Sequence, residues 1–177
     1  DGEAANDFSG ECVSLSGDGT IVAISAKDND GGGTNAGHVR VYQYASSSWS
    51  QLGSDIDGEA AYDKSGSGIA LSDNGTILAV GAYYNDGNGS SSGHVRVYQY
   101  ASSSWSQLGS DIDGEAANDF SGYGVSLSDD GTILAVGAYR NDGGGTDAGH
   151  VRVYAYSGSS WSQLGSDIDG EASGDNF

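Results

Sequence analysis

The chain has 177 residues, with 31 Gly and no Pro or Met, and carries 25 Asp and Glu against six Lys and Arg, a formal net charge of -19. Without Pro, and without Gly at every third position, it is not collagen-like, and six cations cannot form a nucleic-acid-binding face against that excess of acids. No apolar run approaches the about 18 residues of a membrane span, while 10% aromatic residues and dense Val, Ile and Leu clusters set the chain apart from disordered polymers.

Self-comparison reveals the organisation. Asp-Gly-Glu-Ala begins at Asp1, Asp57, Asp113 and Asp169, and the same 56-residue spacing relates His38, His94 and His150, and Trp49, Trp105 and Trp161. The units are 1–56, 57–112 and 113–168, and 169–177 starts a fourth. The second and third units share three quarters of their residues. The chain opens and closes at the same phase, as would a piece of a longer array or a unit that joins end to end. The missing initiator Met and signal peptide fit a processed or excised segment.

The third unit shows the elements in chain order. Val125-Ser126-Leu127-Ser128 alternates apolar and polar residues, a strand signal. Asp129-Asp130-Gly131-Thr132 is a tight hairpin turn. Ile133 to Ala138 is short, apolar and β-rich, which suits a strand buried on both faces. Tyr139 to Gly149 has no periodicity and reads as a loop. His150 to Tyr156 alternates strictly as a third strand, 157–160 turns, Trp161 to Ser166 is a weaker fourth strand, and Asp167 to Gly174 connects onward. The fold class is therefore all-β: tandem four-stranded antiparallel blades of a β-propeller, three in number. Closure takes about four to eight blades, so three cannot close a propeller alone.

Phe120-Ser121-Gly122-Tyr123-Gly124-Val125-Ser126-Leu127-Ser128, then Asp130-Gly131, Leu134-Ala135-Val136-Gly137-Ala138 and Gly149-His150-Val151-Arg152-Val153-Tyr154 resemble the FG-GAP repeat, three times over. That family builds the propeller of integrin alpha subunits and propellers of secreted microbial and algal proteins. The resemblance implies an extracellular or cell-surface location and a role in adhesion or structure. The chain departs from the pattern where Ser121 separates Phe120 from Gly122, where Lys64 replaces the Phe, and where Lys27, Tyr83 and Tyr139 stand for the Pro. A tight turn also replaces the calcium hairpin of integrins, so calcium sites of that type do not carry over.

Candidate sites lie in the connectors and loops. Asp55, Asp57, Glu59 and Asp63, and again Asp111, Asp113, Glu115 and Asp119, are closely spaced carboxylates. Calcium takes six to eight oxygens from such groups, which makes Ca2+ the one suggested cofactor; the plainer reading is a solvated or hydrogen-bonded connector. Asp30, Asp86, Asp142 and Asp147 mark Gly-rich loops that either are turn chemistry or present polar faces to sugar or protein. Asn74 and Asn88 head glycosylation sequons.

Gly89-Ser90-Ser91-Ser92-Gly93 fits the nucleophile-elbow pattern but lies in a loop, without the required strand and helix, and is a chance match. The three His start equivalent strands and read as structural. Arg40, Arg96 and Arg152 share their strand face and should pair with acids between blades. Cys12, alone in the chain, reads as a small buried hydrophobe.

No catalytic constellation emerges. The leading expectation is a non-enzymatic extracellular structural or adhesion module that assembles with further blades, of a parent chain or of other copies, head to tail into a filament. The alternative is a calcium-dependent module binding carbohydrate or a cell-surface protein.

Overall fold

The computed structural model describes residues 2–175; Asp1, which opens the first unit, and Asn176 and Phe177, which end the fourth-unit start, lie outside the described residues. The described residues form strands, turns and loops and contain no helix, hence no helix long and apolar enough to cross a membrane. Three antiparallel sheets follow one another. The first contains β1 (Val13–Leu15), β2 (Ile21–Ala26), β3 (His38–Ala45), β4 (Ser48–Gln51) and β5 (Ile56–Asp57). The second contains β6 (Gly68–Leu71), β7 (Ile77–Ala82), β8 (His94–Ala101), β9 (Ser104–Gln107) and β10 (Ile112–Asp113). The third contains β11 (Ser121–Leu127), β12 (Ile133–Ala138), β13 (His150–Tyr156), β14 (Trp161–Gln163) and β15 (Ile168–Asp169).

Each sheet is a four-stranded meander with one addition to the expected pattern. The outer strand is broken in two: in the first sheet β4 pairs with Tyr42 to Ala45 of β3, and β5 pairs with His38 and Val39 of the same strand. The chain bends between them at Gly53, whose φ of 81° is left-handed, while Leu52 N–H still donates to Val41 O at 2.7 Å. A two-residue strand such as Ile56–Asp57 is too short to show a period, so the sequence reads it as connector.

The hairpin turns are stapled by their own side chains. Asp18 Oδ1 accepts from Thr20 N–H at 2.9 Å and from the Ser16 hydroxyl at 2.8 Å; Asn74 and Asp130 do the same. These acceptors are thus already engaged by their own turns, and Asn74 carries no charge. Successive turns also touch: Gly17 N–H donates to Asp73 O, and Asp73 N–H to Asp129 O, both at 2.8 Å.

The core lies between sheets. One face of the first sheet, including Ile21, Ala23, Val39, Val41 and Ile56, packs on Leu71, Leu78 and Val80 of the second. The other face of the second sheet, including Ile77, Ala79, Val95, Val97 and Ile112, packs on Leu134 and Val136 of the third. Every residue of β7 is therefore buried, as expected for a middle strand covered on both sides. In β12, and in β2 as far as Ser25, buried and half-buried residues alternate, because the outer sheets have one neighbour each.

After each outer strand the chain crosses to the next sheet along a loop of the one it leaves. Gly58, Tyr62 and Ser65 N–H donate to Gly37, Thr34 and Ala36 O, each at 2.8 Å. The second crossing repeats this with Gly114, Asn118 and Ser121 on Gly93, Ser90 and Ser92. The connectors are thus backbone-paired stitches between blades.

Candidate functional site

The crossing geometry gathers one polar cluster per repeat. Arg96 Nε and Nη2 each donate to an oxygen of Asp111 at 3.0 Å, and Nη2 also pairs with Glu59. Asp111 precedes β10 of the same sheet, whereas Glu59 sits on the connector arriving from the sheet before, so the guanidinium clamps two blades together. Arg40 with Asp55 and Glu3, and Arg152 with Asp167 and Glu115, repeat the arrangement. A Gln completes each cluster: Gln51 donates to Asp55 at 2.6 Å, and Gln107 and Gln163 to Asp111 and Asp167 at 2.5 Å. The expected pairing of these Arg with acids is observed, and its local part, Arg with an Asp 15 residues on, is visible in all three units.

The buried His of each strand lies beside the pair. His38 Nδ1 is 3.9 Å from both Glu3 and Asp55, and His94 and His150 stand equally close to their two acids. The Nδ1 atoms of His38 and His150 have no hydrogen-bond partner among the described residues. Each His with its two acids offers three donor atoms within 4.8 Å of one another. Calcium prefers six to eight oxygens; here the carboxylates already carry a guanidinium, and the third donor is a nitrogen. The set does not fit calcium.

The other carboxylates of the connectors are placed elsewhere. Asp63 is buried and accepts from Asn85 Nδ2 at 2.9 Å and from Ala60 N–H at 3.3 Å. Asp119 does the same with Asn141 at 2.8 Å and Ala116 at 3.2 Å. Asp57 Oδ1 lies 4.0 Å from His38 Nδ1, and Asp113 is exposed beside β8. Asp55, Asp57, Glu59 and Asp63, like Asp111, Asp113, Glu115 and Asp119, thus disperse over an Arg clamp, an Asn pair and a strand end. The Asn29, Asn85 and Asn141 partners, 22 residues past their Asp, tie each connector to a Gly-rich loop; their recurrence in every unit was the available signal for this pairing.

The Gly-rich loops are closed by the acids proposed as ligands. Asp30 Oδ1 accepts from Asn35 N–H and Asp86 Oδ1 from Ser91 N–H, both at 2.7 Å, and Asp142 Oδ1 from Asp147 N–H at 2.9 Å. Of the sequons, Asn88 spends its amide on Gly114 and Glu115 carbonyls, whereas the amide nitrogen of exposed Asn74 has no partner among the described residues. Cys12 is half-buried, its thiol donates to Ser67 O at 3.2 Å, and burial pushes its pKa up.

The clusters make stability pH-dependent in a defined direction. The Arg40 hydrogen bonds hold Asp55 below its ordinary value of 3.8, and those of Arg152 hold Asp167 at about 2. At Asp111 burial opposes the shift, but Arg96 and Gln107 outweigh it and the pKa is lowered. Burial, followed by the neighbouring Arg, lowers His94 and His150 below 6.5. Groups with depressed folded pKa values contribute stability that is complete above the unfolded value and is lost as pH falls through the folded one. Asp119, raised by burial, works in the opposite sense. The urea midpoint is therefore expected to fall in two stages, below pH about 6.5 and again below about 3.8. Replacing both His94 and His150 by Gln should remove the first stage and leave the second.

The two outer blade faces present the same side chains without their neighbours. Trp105 and Trp161 Nε1–H donate to Leu52 and Leu108 O of the preceding sheet, both at 2.8 Å. Their counterpart Trp49 is 48% exposed. At the other end Ile168 is 51% exposed, while its counterparts Ile56 and Ile112 are 6% and 7% exposed. A cavity of about 310 Å³ lined by Val22, Ile24, His38, Arg40, Tyr42 and Trp49 opens on the first sheet. One of about 580 Å³ lined by Val125, Ala135, Gly137, Tyr139 and Val151 opens on the third. At the equivalent place between the first and second sheets only about 10 Å³ is left around His94 and Arg96.

Comparison with known proteins agrees with this architecture. The chain is similar over 96% of its length to a candidate 6-phosphogluconolactonase from Bacteroides uniformis, with 12% identity and a TM-score of 0.62, and spans 43% of that chain. It is similar over 85% of its length to a hypothetical selenium-binding protein from Sulfolobus tokodaii, with 11% identity and a TM-score of 0.51, and spans 40% of that chain. Both likenesses concern the fold alone, and the chain has less than half the length of either structure. No curated protein matches it in sequence. The FG-GAP repeat family matches residues 55–98 and 111–154, which cover most of the second and third sheets. The second and third units are thus tandem FG-GAP repeats, and the first unit repeats the same residues in phase.

Proposed function

We propose that this chain is a non-enzymatic structural and adhesion module, extracellular or at the cell surface, whose two open faces join further FG-GAP blades. The first partner is another copy of the chain, placed head to tail. The observation that carries this reading is the contrast between equivalent residues: Ile168 is half exposed where Ile56 and Ile112 are buried, and among the described residues Trp49 lacks the carbonyl that Trp105 and Trp161 reach.

The faces are complementary by construction. In this arrangement the face of Ala135 and Ile168 receives Trp49 and Tyr42 of the next copy, as the second sheet's face receives Trp161 and Tyr154. The Trp49 indole then meets the carbonyl of Leu164, itself 55% exposed. Such a contact is heterologous: it closes into a ring if the rotation per copy allows and otherwise grows as a filament. The carboxylates distributed over every repeat keep such assemblies from clumping non-specifically.

Sedimentation across a concentration series, with electron microscopy of the upper range, tests the reading. Mass should rise in multiples of 17.9 kDa. Ala135→Arg puts a charge at a half-buried position whose counterparts Ala23 and Ala79 are fully buried, so it should abolish assembly while leaving the monomer folded. A monomer at every concentration overturns the head-to-tail reading.

A further inference from the structure

The second repeat differs from both of the others at three neighbouring positions on one rim, at two of which the others agree. It has Tyr62 where the others have Asn6 and Asn118, Lys64 where they have Phe8 and Phe120, and Tyr84 where they have Asp28 and Arg140. Position 62 is left-handed, with φ 72°, as are Asn6 at 72° and Asn118 at 69°. Asn enters this conformation readily because its short amide bonds locally; a bulky aromatic residue is strained there. The ring gains no burial in return, being 61% exposed and stacked on no other ring among the described residues. Strain without a packing return marks a position held for something other than folding.

Tyr84 is the opposite case, an exposed ring held in place. It lies 4.3 Å from Tyr83 and meets Phe120 edge-on at 5.4 Å, yet remains 40% exposed. Tyr62 and Tyr84 line a groove of about 360 Å³ whose polar lining includes Lys64, Asp86, Ser90 and Ser91. Asp86 spends Oδ1 on Ser91 N–H, and its Oδ2 has no partner among the described residues. The Ser90 and Ser91 hydroxyls likewise have none among those residues. Lys64 Nζ is bound to Asp28 at 2.6 Å.

We propose that this groove binds a neutral saccharide, stacked on Tyr62 and Tyr84 and hydrogen-bonded by Asp86 and the two Ser hydroxyls. Neutrality follows from the lining: two carboxylates, Asp63 and Asp86, and the Lys64 ammonium share the groove, so a ligand charge of either sign meets its like. A pyranose avoids both penalties and uses both kinds of wall, with C–H groups for the rings and hydroxyls that donate and accept. The volume lies at the small end of ligand sites, which suits one or two sugar units. Tyrosines give large amphipathic contact at low entropic cost, and Tyr84 is already fixed by its neighbours.

The test is affinity gel electrophoresis of the whole chain in soluble β-glucan, mannan, xylan and galactan. At least one should retard the protein, and Tyr62→Asn and Tyr84→Ala should each weaken that retardation about tenfold or more. Tyr62→Asn restores the residue of the other repeats and relieves the backbone, so its melting temperature should hold or rise. Repeating the gels in the Ala135→Arg background separates the groove from assembly, since the proposal does not rest on the end-face reading: intrinsic retardation should survive loss of any avidity. No retardation in any of the four, or retardation unchanged by Tyr62→Asn, overturns the proposal.

Discussion

Replacing Leu78 by Ala is expected to cost about 3 kcal/mol of stability. Leu78 is fully buried on β7, between the first and second sheets, where the backbone of both is fixed by ladder bonds and cannot collapse into the space left behind. A control comes from the chain itself, because β7 and β12 have the same six residues, Ile-Leu-Ala-Val-Gly-Ala. Ile77→Ala removes a buried side chain packed against the third sheet and should cost about 3 kcal/mol. Ile133→Ala removes a half-buried one from the open face and should cost only about 1 kcal/mol. Urea unfolding at concentrations where the chain is monomeric measures the difference. Equal losses at 77 and 133 would mean that the open face is not open.

Gly93→Ala is expected to destabilise by a similar amount, about 3 kcal/mol, through a different mechanism. Gly93 has φ 74°, and an added Cβ would stand 2.1 Å from Ser121 O and 2.7 Å from Ser121 N. Those are the backbone atoms through which the loop of the second blade bridges to the third. The substitution therefore imposes left-handed strain and also pries two blades apart. Gly158→Ala isolates the first effect: φ is 88°, but nothing lies within 4 Å of the added carbon, so the loss should be about 1 kcal/mol. If thermal or urea melts show equal losses for the two, the inter-blade bridge contributes nothing to stability.

Much of the local structure was legible in the residues. Ile133 to Ala138 and His150 to Tyr156 are strands over the predicted ranges, because unbroken apolar character and strict alternation respectively leave few other uses for those residues. The first strand of the third blade starts earlier than Val125, at Ser121, where a register shift between Ser121 and Gly124 spoils the alternation. The divided outer strand was hidden because Ile168–Asp169 carries no period of its own; it is a strand only because β13 offers a free edge beside it.

The sites were less legible for a similar reason. Spacing brought Asp55, Asp57, Glu59 and Asp63 into one short segment, but the extended connector sends successive side chains to different neighbours. Asp55 meets Arg40 of its own blade, Glu59 meets Arg96 of the next, and Asp63 turns to Asn85. The Tyr62 groove was invisible at the level of motifs, since what distinguishes it is a departure from the repeat, and only the fold places residue 84 beside residue 62.

The contrast is sharpest in the two identical strands. Six residues determined that β7 and β12 are strands, because apolar and small residues on a pleated backbone bury both faces well. Sequence also determined the number of blades and the phase at which they recur. It could not determine that β7 is buried throughout while β12 shows one face to solvent, because that depends on how many sheets lie on either side. Burial belongs to the stack and not to the strand: the hydrophobic gain is realised only where a neighbour removes the water, and three blades leave two faces where none does.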